Sequence, residues 1–185
     1  MPVPFRFEDL RARFTAVRPW AETAVGEAVN RCAICMAYTL QITPSPGDAS
    51  ISDIPGVGPT FAKAGPIKAG PSPLSAALGG TPSAPYSSYF FIRAAELLPR
   101  VLRAFGQPDM EGITKDIWPT VVGKKGVLHL ANCYQTEGDK TFPKSLFEPM
   151  SGGHWDLFDG VALIASNVLI KGNTHRGKMS LWLAR

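Results

Sequence analysis

Two segments far apart in the chain hold the residue types that a thiol hydrolase uses. Cys32 opens the apolar run 32–40, which is typical of a buried helix, and His154 follows Gly152 and Gly153 in a segment typical of a strand. A thiolate is the nucleophilic form of cysteine, and a helix start favours it. An imidazole can take the thiol proton and later donate it to the leaving group. The pair therefore predicts a Cys–His site for acyl transfer.

The other cysteines and histidines have structural interpretations. Cys35 completes a Cys-x-x-Cys spacing, but no second paired motif supplies the ligands that zinc needs, so we interpret it as a helix-packing residue. Cys133 is expected to end a strand, and nothing in the sequence supports a pairing with Cys35. His129 alternates within an apolar strand and is interpreted as a core residue. His175 lies in a polar stretch and is interpreted as part of a solvated turn. We expect no metal and no organic cofactor.

The composition predicts one globular domain. The chain has 185 residues, of which 45% are hydrophobic and 18% are charged. The formal net charge of +4 is mildly basic, without a dense Lys/Arg run, which argues against nucleic acid as a partner. A basic surface also suits an anionic polymer such as a cell wall.

The sequence carries no signal for membrane insertion or for a cleaved leader. Charges occupy the first residues, where a signal peptide needs an apolar core, and no apolar run reaches membrane-spanning length. Three cysteines are too few for a disulfide scaffold. We therefore expect a chain made in the cytoplasm, which reaches any site of action outside the cell by a route without a cleaved signal.

The spacing of apolar residues places helices in the first part of the chain and strands in the last part. Helices are predicted over 5–18, 32–40 and 89–105, and strands over 127–131, 153–158, 161–170 and 179–184. Pro19 is expected to end or bend the first helix, and Asp159-Gly160 to join two strands as a hairpin. Residues 43–85 and 134–151 are expected to be loops, the first of them rich in Pro and Gly. Helices followed by antiparallel strands make an α+β fold.

Four segments together resemble one known family. These are the run Cys32–Leu40, Gly123-Lys-Lys-Gly126, Gly153-His-Trp-Asp-Leu-Phe-Asp-Gly160 and Ser180-Leu-Trp-Leu183. Their order and spacing resemble the fourth family of type VI secretion amidase effectors, which are papain-like peptidoglycan hydrolases of the NlpC type. The resemblance implies a single papain-like domain over residues 1–185, with N-terminal helices packed on a C-terminal antiparallel sheet. It also implies Cys32 as the nucleophile and His154 as the base.

The same resemblance implies a biological setting. It implies cleavage of the bond between D-glutamate and meso-diaminopimelate in peptidoglycan stem peptides, and delivery by the type VI secretion apparatus into the periplasm of target bacteria. It further implies a cognate immunity protein in the producing cell.

The residue that orients His154 departs from the family pattern. A two-residue turn at 159–160 would place Ala165 opposite His154, at the position where the family has an Asp. Two side chains on the same face are candidates for this role. Asp156 lies two residues along the strand from His154, and Asn167 lies diagonally across the predicted hairpin. If neither serves, the chain is a papain-like module that binds the wall or a partner without cleaving it.

Overall fold

We describe the protein from a computed structural model, over residues 2–25, 31–42, 61–63, 89–91, 94–134, 152–165 and 177–185. The described residues form four helices: α1 (Phe7–Val25), α2 (Cys32–Thr39), α3 (Ala94–Phe105) and α4 (Thr114–Val121). They also form six strands: β1 (Phe61–Lys63), β2 (Tyr89–Phe91), β3 (Met110–Ile113), β4 (Gly126–Tyr134), β5 (Gly152–Phe158) and β6 (Lys178–Leu183). The predicted α+β class is confirmed.

The chain divides into two compact units. The first unit comprises Met1–Phe7 and Val101–Arg185, and the second comprises Glu8–Arg100. The interpretation of residues 1–185 as one papain-like domain stays a prediction.

The first unit contains a four-stranded antiparallel sheet in the order β3-β6-β4-β5. β4 lies centrally because its run Val127-Leu-His-Leu-Ala131 is apolar on both faces, and it pairs with β5 on one side and β6 on the other. The predicted strands over 127–131, 153–158 and 179–184 are therefore confirmed, with boundaries shifted by one to three residues.

One face of this sheet supports the core of the unit. Its buried cluster consists of Val121, Leu128, Leu130, Cys133, Phe158, Leu163, Met179 and Leu181. α4 packs against it through Ile117 and Trp118, and the Trp118 ring lies 5.5 Å from that of Phe158. Gly112 is required beneath α4, since a Cβ at this position would collide with the Ile117 side chain. The core of the unit thus lies between α4 and the sheet.

The opposite face of the sheet carries the large aromatic side chains. Trp155 and Trp182 are fully buried and stack with centroids 5.7 Å apart, and the Trp182 Nε1–H donates to the Gly106 carbonyl at 3.0 Å. The His129 ring lies 4.5 Å from that of Trp155. Side chains alternate along β5, so Trp155 points to this face and His154 and Asp156 point to the other.

A bulge interrupts the pairing of β4 with β5 next to His154. Leu130 pairs with His154, and the next registered pair is Tyr134 with Gly152. Three residues of β4 therefore lie opposite one residue of β5, and Asn132 takes a left-handed φ of 56° to accommodate them.

The turn after β5 differs from the predicted two-residue hairpin. Phe158 bridges to Leu163, and the Asp159 N–H donates to the Ala162 carbonyl at 3.1 Å, so four residues form the turn. The Asp159 Oδ1 accepts the N–H groups of Val161 and Ala162 at 2.9 and 2.8 Å, which stabilises the longer loop. The predicted pairing of Phe158 with Val161 was wrong for this reason, and 166–170 lie outside the described residues.

The second unit contains α2, most of α1 and the two-stranded antiparallel sheet of β1 and β2. The buried side chains of α1 include Leu10, Phe14, Val17 and Ala21, a helical spacing that fixes one apolar face. Pro19 does not end this helix, which continues to Val25, because a proline costs only a local break in the hydrogen-bond ladder.

Two other predictions in this part of the chain need correction. The helix predicted over 89–105 begins only at Ala94, because the aromatic segment Tyr89–Phe91 pairs as a strand with Phe61–Lys63. Residues 61–63 had been predicted as loop. The rest of 43–85, and all but the first residue of 134–151, lie outside the described residues. α3 ends before Gly106, whose N–H donates to the Leu102 carbonyl at 2.9 Å and whose φ of 78° then turns the chain out of the helix.

Candidate active site

Cys32 is the first residue of α2, as predicted. The Cys35 N–H donates to the Arg31 carbonyl at 2.9 Å, which closes the first helical turn around Cys32. Every residue of α2 is buried, and Cys32 retains 8% of its surface exposed. The N–H groups of a first turn have no acceptor within the helix, so they point toward the N-terminus, where an oxyanion can bind.

Contacts within the second unit hold the other end of α2. The Thr39 hydroxyl donates to the Cys35 carbonyl at 2.8 Å, and an Arg13 guanidinium N–H from α1 reaches the Thr39 carbonyl at 3.4 Å. Both bonds fix the helix that carries Cys32 without involving its thiol.

His154 lies on β5 and contacts Asp156. The distance from His154 Nε2 to Asp156 Oδ2 is 3.3 Å, and the histidine side chain keeps 13% of its surface exposed while that of the aspartate has none. Residues two apart on a strand point to the same face, which is the reason that the sequence could predict this pair. At 3.3 Å this contact is slightly longer than the roughly 2.7–3.2 Å of a typical N–H···O hydrogen bond.

Asp156 is held by main-chain groups as well as by His154. The Leu157 N–H donates to Oδ1 at 2.8 Å. The Ala165 N–H lies between the two oxygens, at 3.1 Å from Oδ1 and 3.2 Å from Oδ2. A fully buried carboxylate needs such donors, because leaving it unsolvated and unpaired is costly. The network fixes Asp156 in one orientation, with Oδ2 directed at the imidazole.

The contact with Asp156 defines the useful tautomer of His154. A carboxylate only accepts hydrogen bonds, so the proton of the neutral ring is on Nε2 and the lone pair is on Nδ1. After Nδ1 takes a proton, the adjacent carboxylate stabilises the resulting imidazolium. The pair can therefore act as a general base followed by a general acid.

Ala165 has a role that the sequence did not predict. Its side chain cannot accept a hydrogen bond, but its main-chain N–H binds the carboxylate of Asp156. The four-residue turn brings Ala165 beside Asp156, whereas the predicted two-residue turn placed it opposite His154. On the other side of β5, His154 pairs with Leu130 of β4. The other candidate for the orienting residue, Asn167, lies outside the described residues.

The remaining cysteines and His129 are core residues. Cys32, Cys35 and Cys133 are all buried, and the Cys133 Sγ contacts the Leu130 carbonyl at 3.7 Å within the core cluster. His129 is 3% exposed, and its Nε2 has no hydrogen-bond partner among the described residues. The core interpretation of His129 is confirmed, although this one nitrogen is unpaired within that part of the chain. His175 lies outside the described residues.

Two further features of the described residues bear on function. Nowhere among them do three His, Cys, Asp or Glu side chains group as a metal site would require. In the same residues, no helix has both the length and the apolar character needed to span a bilayer.

Comparison with solved structures identifies the fold. The type VI effector Tae4 from Enterobacter cloacae superposes with a TM-score of 0.59 at 14% identity, covering 100% of this chain and 99% of that one. Tae4 from Salmonella typhimurium, in its effector–immunity system with Tai4, gives 0.54 at 16% identity over the same shares. The chain has the fold of the Tae4 effectors. Salmonella Tae4 bound to the immunity protein Tai4 from Enterobacter cloacae gives 0.54 at 15% identity, with full coverage of both chains. No family model and no curated protein matches the sequence.

Proposed function

We propose that this protein is an antibacterial type VI secretion effector that hydrolyses peptidoglycan as a papain-like, cysteine-dependent amidase. The observation that carries the proposal is the His154–Asp156 pair, an imidazole oriented by a buried carboxylate that main-chain N–H groups hold in place. The fold shared with Tae4 effectors and the position of Cys32 at the start of α2 support it. The bond cleaved is that between D-glutamate and meso-diaminopimelate, as the resemblance of the motifs implies.

The proposed mechanism has two steps. His154 takes the proton of Cys32, and the thiolate attacks the amide carbonyl carbon, with main-chain N–H groups at the start of α2 stabilising the oxyanion. The imidazolium of His154 then gives its proton to the departing amine, and the carbon–nitrogen bond breaks. Water, deprotonated by His154, attacks the thioester and releases the D-glutamate carboxylate. Asp156 keeps the ring oriented and stabilises its protonated form in both steps.

The proposal includes partners and a place of action. The substrate is the stem peptide of bacterial peptidoglycan in the periplasm of a target cell, reached through the type VI secretion apparatus. A cognate immunity protein protects the producing cell, as the Tai4 complexes of the structural neighbours suggest. The reaction as proposed needs no metal or cofactor.

Mass spectrometry of purified muropeptides tests this proposal directly. Wild-type protein should shorten tetrapeptide stems between D-glutamate and diaminopimelate, and Cys32→Ala and His154→Ala should each leave them intact. Cys35→Ser is the matched control, because it removes a buried thiol from the same helix and should retain turnover. Intact stems with wild-type protein, while an authentic endopeptidase cleaves the same sample, would reject the proposal.

Ala165 favours a second candidate function, a wall- or partner-binding module without turnover. The resembled family has an Asp at this position, so the chain lacks that particular orienting side chain. Binding of wild-type protein to purified peptidoglycan, without release of any fragment over hours, would support this candidate. Cleavage that depends on Cys32 would reject it.

A further inference from the structure

Three cations, Arg6, Lys124 and Lys125, lie along one end of the sheet in the first unit. We call this group the cationic edge. The Lys125 carbonyl accepts the Ala184 N–H at 2.9 Å, which places the loop before β4 beside the end of β6. The main chain on either side of Arg6 bonds to Arg185, through the Phe5 carbonyl at 3.0 Å and the Phe7 N–H at 3.4 Å.

The three side chains are available to a ligand. All are exposed, and within the described part of the chain none of them forms an ion pair. Lys178 provides the contrast, since its ammonium lies 2.9 Å from a carboxylate oxygen of Glu111. The Lys125 Nζ lies 5.4 Å above the Phe7 ring, which directs its charge along this edge.

Two carboxylates of the first unit, Asp109 and Asp159, have main-chain partners. The Asp109 Oδ2 accepts the Leu183 N–H at 2.9 Å, and Asp159 accepts the two N–H groups of its own turn. The charge of the edge is therefore not cancelled by direct pairing with either carboxylate. The formal net charge of +4 adds a favourable field for any anionic polymer.

We propose that the cationic edge binds the anionic carboxylates of the peptidoglycan network at a place away from His154, and so holds the enzyme on its insoluble substrate. This inference rests on the proposed function. The edge is level with the Gly126–Phe158 pair, and His154 lies four residues further along β5, about 13 Å away at strand spacing. A polymer bound at the edge thus contacts the enzyme at a point separate from the reacting amide.

A carboxylate polymer fits this surface better than a nucleic acid does. Single-stranded nucleic acids stack their bases on exposed aromatic rings. The large hydrophobic side chains exposed in the described residues are Ile113, Val122 and Val161, and none is aromatic.

Co-sedimentation with purified sacculi tests the proposal, using Cys32→Ala protein so that the wall stays intact. In that background, Lys124→Gln/Lys125→Gln should weaken binding about tenfold at low ionic strength, and the difference should vanish near 1 M salt, where the Debye length is about 3 Å. Lys115→Gln is the matched control, since Lys115 is exposed and follows Ile113 at the opposite end of the sheet. It should bind as the parent does.

The outcomes separate this inference from the proposed function. With Cys32 restored, the double variant should cleave soluble muropeptides at the wild-type rate but intact sacculi more slowly. Because Lys125 also contacts Phe7, the single variant Lys124→Gln must show part of the same loss with an unchanged melting temperature. The inference is overturned if the double variant binds sacculi as strongly as the parent does, or if Lys115→Gln loses as much binding. It is also overturned if DNA at matched charge displaces the protein from sacculi. If wild-type protein leaves soluble muropeptides intact, the proposed function is overturned instead, whatever the result of the co-sedimentation with sacculi.

Discussion

Asp156 is the residue whose replacement tests the proposed orientation of His154. Asp156→Ala removes the acceptor of His154 Nε2 and leaves the N–H groups of Leu157 and Ala165 without their carboxylate. The hydrogen bond between the carboxylate and the imidazolium is charge-assisted and buried, a class worth about 1.5–3 kcal/mol. Its loss from the transition state corresponds to a fall in kcat of roughly 10–150-fold, at about 1.4 kcal/mol for each factor of ten.

Stability should fall in the same variant, for a separate reason. Two main-chain N–H groups lose their buried acceptor, at about 1–3 kcal/mol for each donor left unsatisfied. The kinetics must therefore be measured well below the melting temperature of the variant, with circular dichroism confirming the folded state. Asp159→Ala is the matched control, because it also removes a carboxylate that accepts two N–H groups, but in the exposed turn. It should lower the melting temperature and leave kcat unchanged.

Moving the carboxylate provides the decisive variant. The Ala165 N–H lies 3.1 and 3.2 Å from the two oxygens of Asp156, so residue 165 borders the space that this carboxylate occupies. In the Asp156→Ala background, Ala165→Asp should recover part of the lost kcat on soluble muropeptides, while Ala165→Asn, which supplies no charge, should recover less. KM should change little throughout, since neither position is proposed to contact substrate. An Asp156→Ala enzyme with full kcat would refute the assignment and make Asn167 the residue to replace next.

Three further predictions concern pH, thiol reactivity and packing. Burial is the main cause that lowers the pKa of His129 from 6.5 to about 4, so between these pH values the unfolded chain binds a proton that the folded chain excludes. The free energy of unfolding should therefore be highest above pH 6.5 and fall by up to about 3 kcal/mol toward pH 4. Chemical denaturation of His129→Leu should show a smaller dependence of this free energy on pH. Iodoacetamide should alkylate Cys32 more slowly in His154→Ala than in wild type at neutral pH, as peptide mass spectrometry can measure, and equal rates would contradict the proposed proton transfer. Gly126→Ala should destabilise the protein by about 3 kcal/mol in thermal unfolding, because the added Cβ would collide with the Trp182 carbonyl of the neighbouring strand β6, and an unchanged melting temperature would show that β4 can shift.

The success of the sequence prediction depended on the range of the interactions involved. Local periodicity was sufficient for α2 and β5, and the alternation of a strand was sufficient to place Asp156 beside His154. The register of the residues after β5 could not be predicted from local periodicity, because it depends on hydrogen bonds within the turn. The Asp159 side chain accepts two N–H groups and so stabilises a four-residue turn in place of the two-residue hairpin. The pair Asp-Gly alone does not reveal which of the two turns forms.

Non-local pairing also decided the elements that the sequence missed. Tyr89–Phe91 fits the start of a helical pattern, but it pairs with Phe61–Lys63 and becomes a strand, and the central pair, Ala62 with Phe90, is 28 residues apart in the chain. The bulge at Asn132 likewise follows from the register of β4 against β5 and has no signature of its own in the sequence. The continuation of α1 past Pro19 shows a third limit, since packing of an apolar face outweighs the intrinsic cost of one proline.

The main-chain bond from Ala165 to Asp156 has a consequence for how the proposed catalytic pair can change in evolution. A peptide N–H is present whatever side chain the residue carries, so the bond places little demand on the identity of residue 165. The carboxylate beside His154 can then come from position 156 or from position 165. A lineage can exchange one position for the other through an intermediate that carries an acidic residue at both. Search patterns that require an acidic residue eleven positions after the histidine will miss chains of this kind, whereas a pattern that also accepts His-x-Asp will recover them.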